Sequence, residues 1–392
     1  MPTVPHAGIY LGPILAESDF LLMRGIMKYA RRAGGWHFAH DPGRNPLLSE
    51  PELAHWRGDG LLTLIPGHRD ILRLARSGMP VVGVPFQESA HIAHQVVADR
   101  RLCGVLGAEH LLHQGLEHFA LLFDSQTPSC QLDTGFLSAL REAGHTAIVE
   151  RIPRNRHTSA DRPAWCAQWL SSLKRPVGVL TASASLGCEL INIGEHDLGL
   201  HIPGDVSILA VTGETLLGDA LPIGLSRVVV DLEQIGHEAG KMLCHLMRGE
   251  HPEHKVLRVP PRGVALREST DREHLQDHEV NRALQYILLH ADRPIHVADV
   301  VNCVRVSRST LKARFRRERN RTIREEILQA HLERAKFLLR TTDLSISRIA
   351  SDSGFVQPSR LSEAFKRETG LTPKDWRTAH RTLSEIDHGW AL

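Results

Sequence analysis

Long apolar runs and paired cysteines are both missing from this chain of 392 residues. No segment approaches the ~20 consecutive apolar residues that a membrane-spanning helix needs. Residues 1–6 lack the basic stretch and apolar run of a signal peptide. The six cysteines form no C-x-x-C pair, a pattern that predicts reduced thiols in a reducing compartment. The sequence therefore predicts a cytoplasmic protein with no membrane span.

Motifs of common enzymes are missing as well. The sequence contains no G-x-x-x-x-G-K-[ST], no G-x-S-x-G and no H-E-x-x-H. With 25 histidines, pairs at helical spacing such as His91/His94 and His110/His113 arise easily. Without Cys or carboxylate ligands at matched spacing, such pairs are weak signs of a metal. We therefore predict no enzymatic activity, no metal and no cofactor.

Charge is balanced overall but is distributed unevenly. The net charge is +2, yet residues 272–392 hold 22 Lys and Arg against 16 Asp and Glu, which gives +6. The remaining residues hold 25 against 29, which gives −4. A basic C-terminal part on a chain long enough for two or three domains favours a polyanionic partner for that part alone.

Short apolar runs alternate with amphipathic helical stretches from residue 7 to about residue 259. The alternation predicts a parallel, doubly wound α/β architecture. Predicted strands are 7–11, 60–65, 80–84, 95–98, 119–123, 146–151, 177–181 and 206–211. Predicted helices between them are 19–32, 101–114, 131–143, 163–173 and 232–247. We divide the chain into a domain at 1–269, a linker at 270–279, a helical domain at 280–382 and a tail at 383–392.

The helical part contains an internal repeat with a spacing of fifty residues. The segment VSRSTLKARFRRE at 306–318 is echoed by VQPSRLSEAFKRE at 356–368, each after a short apolar helix. Leu311 and Phe315, four residues apart, would pack on that helix, and Ser307 would cap the next one. A buried helix, a turn and a second helix with a polar and basic face predict a helix-turn-helix. Two in tandem predict a protein that reads DNA.

In the second copy, Gly354 would supply the turn, and Leu361 and Phe365 would be the inward pair. Residues 322–340 between the copies are predicted to form one long helix that sets the spacing of two recognition helices. Such a spacer would let both enter successive major grooves about one turn, ~34 Å, apart. A helical bundle with a solvated basic face is the alternative.

The second copy resembles the C-terminal signature of AraC-type transcription regulators. The resemblance rests on LSISRIA at 344–350, GF at 354–355 and FKRETGLTPKDWR at 365–377, and it covers residues 280–381. This chain departs from the pattern at Arg305 and Asn320, where many relatives carry Gly. The base-facing positions implied by the resemblance are Ser309, Lys312, Ala313, Ser359, Ser362 and Glu363. Pro358 and Arg360 are further expected DNA contacts. Phosphate contacts are expected from Arg308, Arg316, Arg317, Lys366 and Arg367.

The first 270 residues resemble the sensing domains of lac-repressor-type and periplasmic sugar-binding proteins. HIPGDVSIL at 201–209, DLEQIGHEAG at 231–240, VPPR at 259–262 and REST at 267–270 carry this resemblance. It implies two α/β lobes that close on a small polar ligand at the carboxyl ends of their strands. Where sugar-binding members place Arg, Asn-Asp and Asp, this chain has Leu132, Thr181-Ala182 and only Glu214. The candidate ligand-binding residues are Ser18, Asp19, His68, Gln87, Glu88, Asp99, Asp124, Gln131, Thr181, Ser183 and Glu214.

Together the two resemblances imply a ligand-responsive transcription regulator. We expect an activator of a sugar-catabolic operon, with xylose or another sugar or sugar derivative as effector. Expected partners are double-stranded operator DNA, RNA polymerase and a second copy of the chain in a homodimer. The alternatives are a small-molecule binding or transport protein with structural C-terminal helices, and an enzyme with an accessory DNA domain.

Overall fold

The computed structural model contains two compact units. They comprise Met1–Pro261 and Arg262–Leu392. The predicted linker at 270–279 and the predicted tail at 383–392 lie partly or wholly outside the described residues. The described residues are 4–12, 16–33, 35–38, 47–85, 88–124, 131–153, 161–219, 221–271, 278–304 and 306–380.

The first unit is built on two twisted sheets, one in each of two lobes. Strands of the first sheet are β1 (His6–Tyr10), β2 (His37–Phe38), β3 (Gly60–Thr63), β4 (Val81–Gly83), β5 (His94–Ala98) and β11 (Val256–Val259). Strands of the second are β6 (His118–Phe123), β7 (Ala147–Arg151), β8 (Val177–Thr181), β9 (Val206–Thr212) and β10 (Ser226–Val229). The first sheet has the order β11-β5-β4-β3-β1-β2, and the second runs β10-β9-β8-β6-β7. Every paired register among these strands is parallel, so the predicted fold class is confirmed.

Helices cover the faces of both sheets. They are α1 (Glu17–Arg32), α2 (Glu50–Ala54), α3 (Arg69–Arg76), α4 (Arg100–His113), α5 (Leu132–Glu142), α6 (Arg162–Ser172), α7 (Ala184–Asn192), α8 (Leu216–Asp219) and α9 (Leu232–Met247). A π-helical turn at Ile193–Asp197 extends α7. The central strands β8 and β9 are mainly apolar and buried along their whole length, as expected of strands covered by helices on both faces.

The chain crosses between the lobes twice within these elements. Strand β5 of the first sheet leads into α4, which packs on α5 in the second lobe. Strand β10 of the second sheet leads into α9, which packs on α1 in the first. Both helix pairs are so close that glycine is required. A Cβ on Gly25 would lie 1.9 Å from the Glu233 carbonyl oxygen, and one on Gly135 would lie 1.9 Å from that of Arg101. Each lobe thus contains a pair of helices whose close approach depends on glycine.

The second unit is helical after a short strand, β12 (Val264–Ala265). Its helices are α10 (His278–Leu289), α11 (Val297–Asn302), α12 (Arg308–Arg319), α13 (Ile323–Thr341), α14 (Ile346–Asp352), α15 (Pro358–Thr369) and α16 (Pro373–His380). No helix in the described part of the chain is both long enough and apolar enough to span a membrane.

Candidate DNA-reading helices and effector cleft

Helices α11 and α12 form the first helix-turn-helix. The hydroxyl of Ser307 accepts a hydrogen bond from the backbone N–H of Thr310 at 3.2 Å, so Ser307 caps α12 as the sequence predicted. Leu311 and Phe315 are fully buried in a cluster that includes Val300 of α11. The inward face of α12 is therefore fixed by two apolar contacts four residues apart.

The opposite face of α12 is open to solvent. The predicted DNA contacts of this copy are all exposed: Arg308, Ser309, Lys312, Ala313, Arg316 and Arg317. Arg317 donates to the carboxylate of Glu318 at 2.7 Å, which holds one guanidinium beside an acidic partner. The remaining face is an exposed basic strip of the kind that attracts phosphate.

Helices α14 and α15 form the second helix-turn-helix. Leu361 and Phe365 are fully buried, and Gly354 has a φ of +75° in the turn. A Cβ at Gly354 would lie 2.4 Å from the His331 Nε2 atom, so glycine is needed for space as well as for φ. Of the predicted contacts, Ser362 is half-buried. The others are exposed: Pro358, Ser359, Arg360, Glu363, Lys366 and Arg367.

The spacer helix α13 joins the two copies. Thr322 caps it by accepting from the Glu325 N–H, and Glu325 accepts in return from the Thr322 N–H at 2.7 Å. Its 19 residues span about 28 Å at 1.5 Å per residue. Arg334 in its middle donates to the backbone carbonyl of Asp352 at 2.5 Å. The spacer is thus tied to the second copy by a charge-assisted bond as well as by apolar packing.

The two recognition helices end in the same way with different residues. Asn320 follows α12 with a φ of +52°, and Gly370 follows α15 with a φ of +77°. Both donate their N–H groups back into the last turn. Apart from Gly, Asn is the residue that best tolerates this left-handed conformation. Asn320 can therefore end α12 in the way that Gly370 ends α15. Arg305, the other departure from the family pattern, lies outside the described residues.

The candidate effector cleft lies at the carboxyl ends of the strands. The strand order changes direction between β1 and β3 in the first lobe, and between β6 and β8 in the second. Ligands of open α/β sheets bind outside such switch points. Every described candidate from the sequence lies at or shortly after a strand end in this region. Gln87 lies outside the described residues.

Several of these candidates already serve as helix caps. The Asp19 carboxylate accepts from the Ala16 N–H at 2.8 Å, and burial raises its pKa. His68 accepts through Nδ1 from the Asp70 N–H at 3.3 Å, and Asp99 accepts from the Leu102 N–H at 2.9 Å. Polar residues that follow strands are thus used to begin the next helices.

The candidates after β8 are also engaged locally. The Thr181 hydroxyl donates to the Ser183 carbonyl at 3.0 Å, and the Ser183 hydroxyl accepts from the Leu186 N–H at 3.4 Å. Ser18 is buried at the start of α1, with no partner for its hydroxyl among the described residues.

The remaining candidates differ in their surroundings. Glu88 forms an ion pair with Arg258 of β11 at 2.6 Å. Gln131 is exposed and has a φ of +62° just before α5. Glu214 is half-buried after β9, and its N–H donates to the Thr212 hydroxyl at 3.0 Å.

Asp124 belongs to a charged cluster that the sequence did not reveal. The Arg162 guanidinium donates to Asp124 Oδ2 at 2.9 Å and to both carboxylate oxygens of Glu189 at 2.8–3.0 Å. The Glu189 hydrogen bond is the main cause that raises the pKa of Arg162. The three side chains keep only 15–23% of their surface exposed. Arg162 lies 27 residues from Glu189, so no local spacing signals the contact.

Leu132 occupies the position at which the resemblance to sugar-binding domains led us to expect Arg. It is fully buried, and its carbonyl oxygen would be 2.1 Å from a Cβ on Gly104. Its side chain is buried and its backbone takes part in the close α4–α5 contact, so this position serves packing. Arg162 instead supplies a cation at the carboxyl edge of this lobe.

A second contact that the sequence did not reveal joins the lobes directly. Glu17, at the start of α1, accepts from the Thr215 N–H at 3.0 Å, from the Thr215 hydroxyl at 2.8 Å and from the Leu216 N–H at 3.0 Å. Burial alone would raise the pKa of Glu17, but these bonds outweigh burial and lower it. We call this contact of Glu17 with Thr215 and Leu216 the interlobe clasp.

Comparisons with known families agree with both halves of the structure. A "Periplasmic binding protein-like domain" matches residues 108–270, and a "Helix-turn-helix domain" matches residues 300–379. The chain belongs to the AraC-type transcription regulators, and its sensing domain has the periplasmic-binding-protein fold. It is a ligand-responsive DNA-binding regulator.

Individual relatives show how far the likeness extends. The chain is 28% identical to the xylose operon regulatory protein of Escherichia coli (strain K12), over 83% of this chain and 85% of that protein. It is 34% identical to regulatory protein SoxS of Salmonella typhimurium, over 25% of this chain and 92% of that protein. A solved structure of the xylose-binding transcription activator xylR superposes with a TM-score of 0.55 at 25% identity, covering 97% of this chain and all of that one.

Proposed function

We propose that the protein activates a sugar-catabolic operon in response to xylose or another sugar or sugar derivative. The observation that carries the proposal is the union, in one chain, of a two-lobed ligand-binding fold and two helix-turn-helix units. The solved structure of a xylose-binding transcription activator matches this arrangement over 97% of this chain. The effector would bind at the switch points of the two sheets.

The charged cluster of Arg162, Asp124 and Glu189 supports a hydroxyl-rich effector. Carboxylates accept from sugar hydroxyls and a guanidinium donates to them, so fixed charges of both signs suit a polyol. In this cluster Arg162 is held between Asp124 and Glu189, so a ligand hydroxyl would meet a fixed set of charges. We infer that Asp124, in the charged cluster after β6, and Glu214, half-buried after β9, are the strongest candidates for direct contact. Asp19, His68 and Asp99 already accept from backbone N–H groups at helix starts.

The DNA contacts divide by chemistry. Lys312 would donate to guanine O6 and N7, and Glu363 would accept from cytosine N4. The exposed arginines at 308 and 316 would contact phosphates and add affinity without sequence information. Because the exposed faces of α12 and α15 carry different side chains, the two copies would read different half-sites.

The assembly follows from the mode of action. We infer that two copies pair as a homodimer, contact RNA polymerase at the promoter, and act in the cytoplasm where the DNA is. The protein would work by binding rather than turnover, with effector and DNA affinity linked by one coupling free energy.

A thermal-shift screen over pentoses, hexoses, sugar acids and sugar phosphates tests the effector. A true effector at 100 times its dissociation constant adds about 2.7 kcal/mol of stability. Asp124→Asn should weaken that shift, whereas Glu117→Gln, at an exposed site before β6, should leave it unchanged. No stabilisation by any of these sugars would refute the sugar assignment, whatever the DNA binding.

A further inference from the structure

Val356 is the most exposed large apolar side chain in the described part of the chain, at 79%. It lies in the turn between α14 and α15, two residues before α15 begins at Pro358. A single exposed valine is ordinary on a protein surface. Its position is what matters, because the N-terminal end of a recognition helix is the part that meets base edges in the major groove.

The matching residue of the first copy is placed differently. Val306 is half-buried and packs on the cluster that contains Leu311 and Phe315. The next residue, Ser307, turns its hydroxyl back to cap α12. In the first copy, therefore, one of these two residues packs on the core and the other caps the recognition helix.

The second copy uses neither position in this way. Gln357 is at the N-cap of α15, is exposed and makes no side-chain capping bond. Pro358 at the first helical position has no N–H, so this helix end has one unsatisfied backbone donor fewer. The side chains of Val356 and Gln357 therefore neither pack on the core nor cap the N-terminal end of α15.

The major groove offers an apolar partner for such a valine. The C5-methyl group of thymine is the apolar feature that the bases present there, and the amide of glutamine pairs with N6 and N7 of adenine. We propose that Val356 reads the methyl group of one thymine in the half-site bound by α15, with Gln357 beside it facing a neighbouring base. This inference rests on α15 being the second recognition helix.

The surrounding charge favours DNA over a protein surface as the partner. Ser359 and Arg360 are exposed in the first turn of α15, and Lys366 and Arg367 are exposed further along it. A polar and basic setting around one valine matches a groove lined by phosphates. A contact with RNA polymerase is the competing outcome of the test.

The test removes the apolar groups from each side of the contact: the single C5-methyl group of one thymine, and the two methyl groups of Val356. Full-length protein first selects its binding sites from random duplexes. Each dT of the α15 half-site is then replaced singly by dU, and dissociation constants are measured by fluorescence anisotropy. Burying about one methyl group contributes ~0.8 kcal/mol, so one dU substitution should weaken wild-type binding about fourfold.

In the Val356→Ala variant, that same dU substitution should have almost no effect. Because Val356 is so exposed, the substitution should leave the unfolding temperature unchanged. Leu371→Ala is the matched control, since Leu371 is 38% exposed in the turn beyond the far end of α15. That control should keep the dU sensitivity.

Three results would overturn the inference. Wild-type protein could bind every dU duplex as tightly as the parent, or Val356→Ala could keep the full dU sensitivity. Val356→Ala could also bind DNA normally while transcription with purified RNA polymerase falls, which would place the valine against the polymerase. If no duplex were selected at all, DNA reading itself would fail, and that result is distinct from the other three.

Discussion

The interlobe clasp should stabilise the first unit measurably. Glu17 is half-buried, and its carboxylate accepts from three donors on Thr215 and Leu216 of the other lobe. Glu17→Gln removes the charge and one of the two acceptor oxygens while it preserves the shape of the side chain. The amide NH2 group of the variant would face N–H groups that need an acceptor.

The expected loss can be estimated from the bonds. Hydrogen bonds to a charged group contribute about 1.5–3 kcal/mol each. Because Glu17 is half-buried and Gln keeps one acceptor, we expect a loss of roughly 2 kcal/mol in the free energy of unfolding. For a unit of this size, each kcal/mol shifts the unfolding temperature by about 2–4 °C, so the variant should melt roughly 4–8 °C lower.

The clasp also predicts a pH dependence. Because the pKa of Glu17 is lowered in the folded protein, its contribution is present above the unfolded value of about 4.3. The contribution is lost as the pH falls through the folded pKa. The difference between wild type and Glu17→Gln should therefore shrink in acid.

Differential scanning calorimetry of the full chain from pH 3 to 7, values chosen to bracket about 4.3, would measure both effects. Glu142→Gln, at the exposed end of α5, is the control and should melt like the wild type. Equal unfolding temperatures for wild type and Glu17→Gln across this range would show that the clasp contributes nothing.

Three further predictions concern the helical unit. Asn320→Ala should cost about 1–2 kcal/mol in urea unfolding because alanine tolerates the left-handed φ poorly, whereas Asn320→Gly should cost nothing. Burial lowers the pKa of His331 to about 4, so stability is full above the unfolded value near 6.5 and falls as the pH drops toward 4; urea midpoints of His331→Leu should lose that slope. Arg316→Ala should reduce the slope of log affinity against log salt by about one without changing base preference, and a changed preference would contradict a phosphate role.

Much of the fold could be predicted from local pattern. The predicted strand at 177–181 and the predicted helix at 232–247 coincide with β8 and α9. The repeat placed Leu311 and Phe315 inward, and both are fully buried. Helix α9 and the repeat are long or strongly periodic, so burial of one face leaves a clear pattern in the sequence. Strand β8 is recognised as a short apolar run that is buried on both faces.

Elements that depend on tertiary context were missed. Strands β2, β10 and β11 have two to four residues and no strong alternation of their own. Strand β11 joins the first sheet only because the chain returns from the second lobe through α9. Such pairings follow from the packing of distant elements and not from local propensity.

The effector cleft shows a further limit. The sequence marked polar residues after strands, but it could not separate a helix cap from a ligand contact. One signal was available, since Asp99 immediately precedes a helical pattern and Asp is a favoured N-cap. No such signal exists for Arg162 with Glu189, which meet only in the folded second lobe, or for Glu17 with Thr215, which meet only when both lobes are in place.

The central claim is that effector binding in the first unit changes DNA binding by the second. The direct measurement is the anisotropy of a labelled selected duplex titrated with full-length protein, with and without the sugar that stabilises it most. We predict that the sugar changes the dissociation constant for that duplex about 5- to 150-fold, while binding to a random duplex changes little. Identical dissociation constants with and without a sugar that demonstrably binds would contradict the claim.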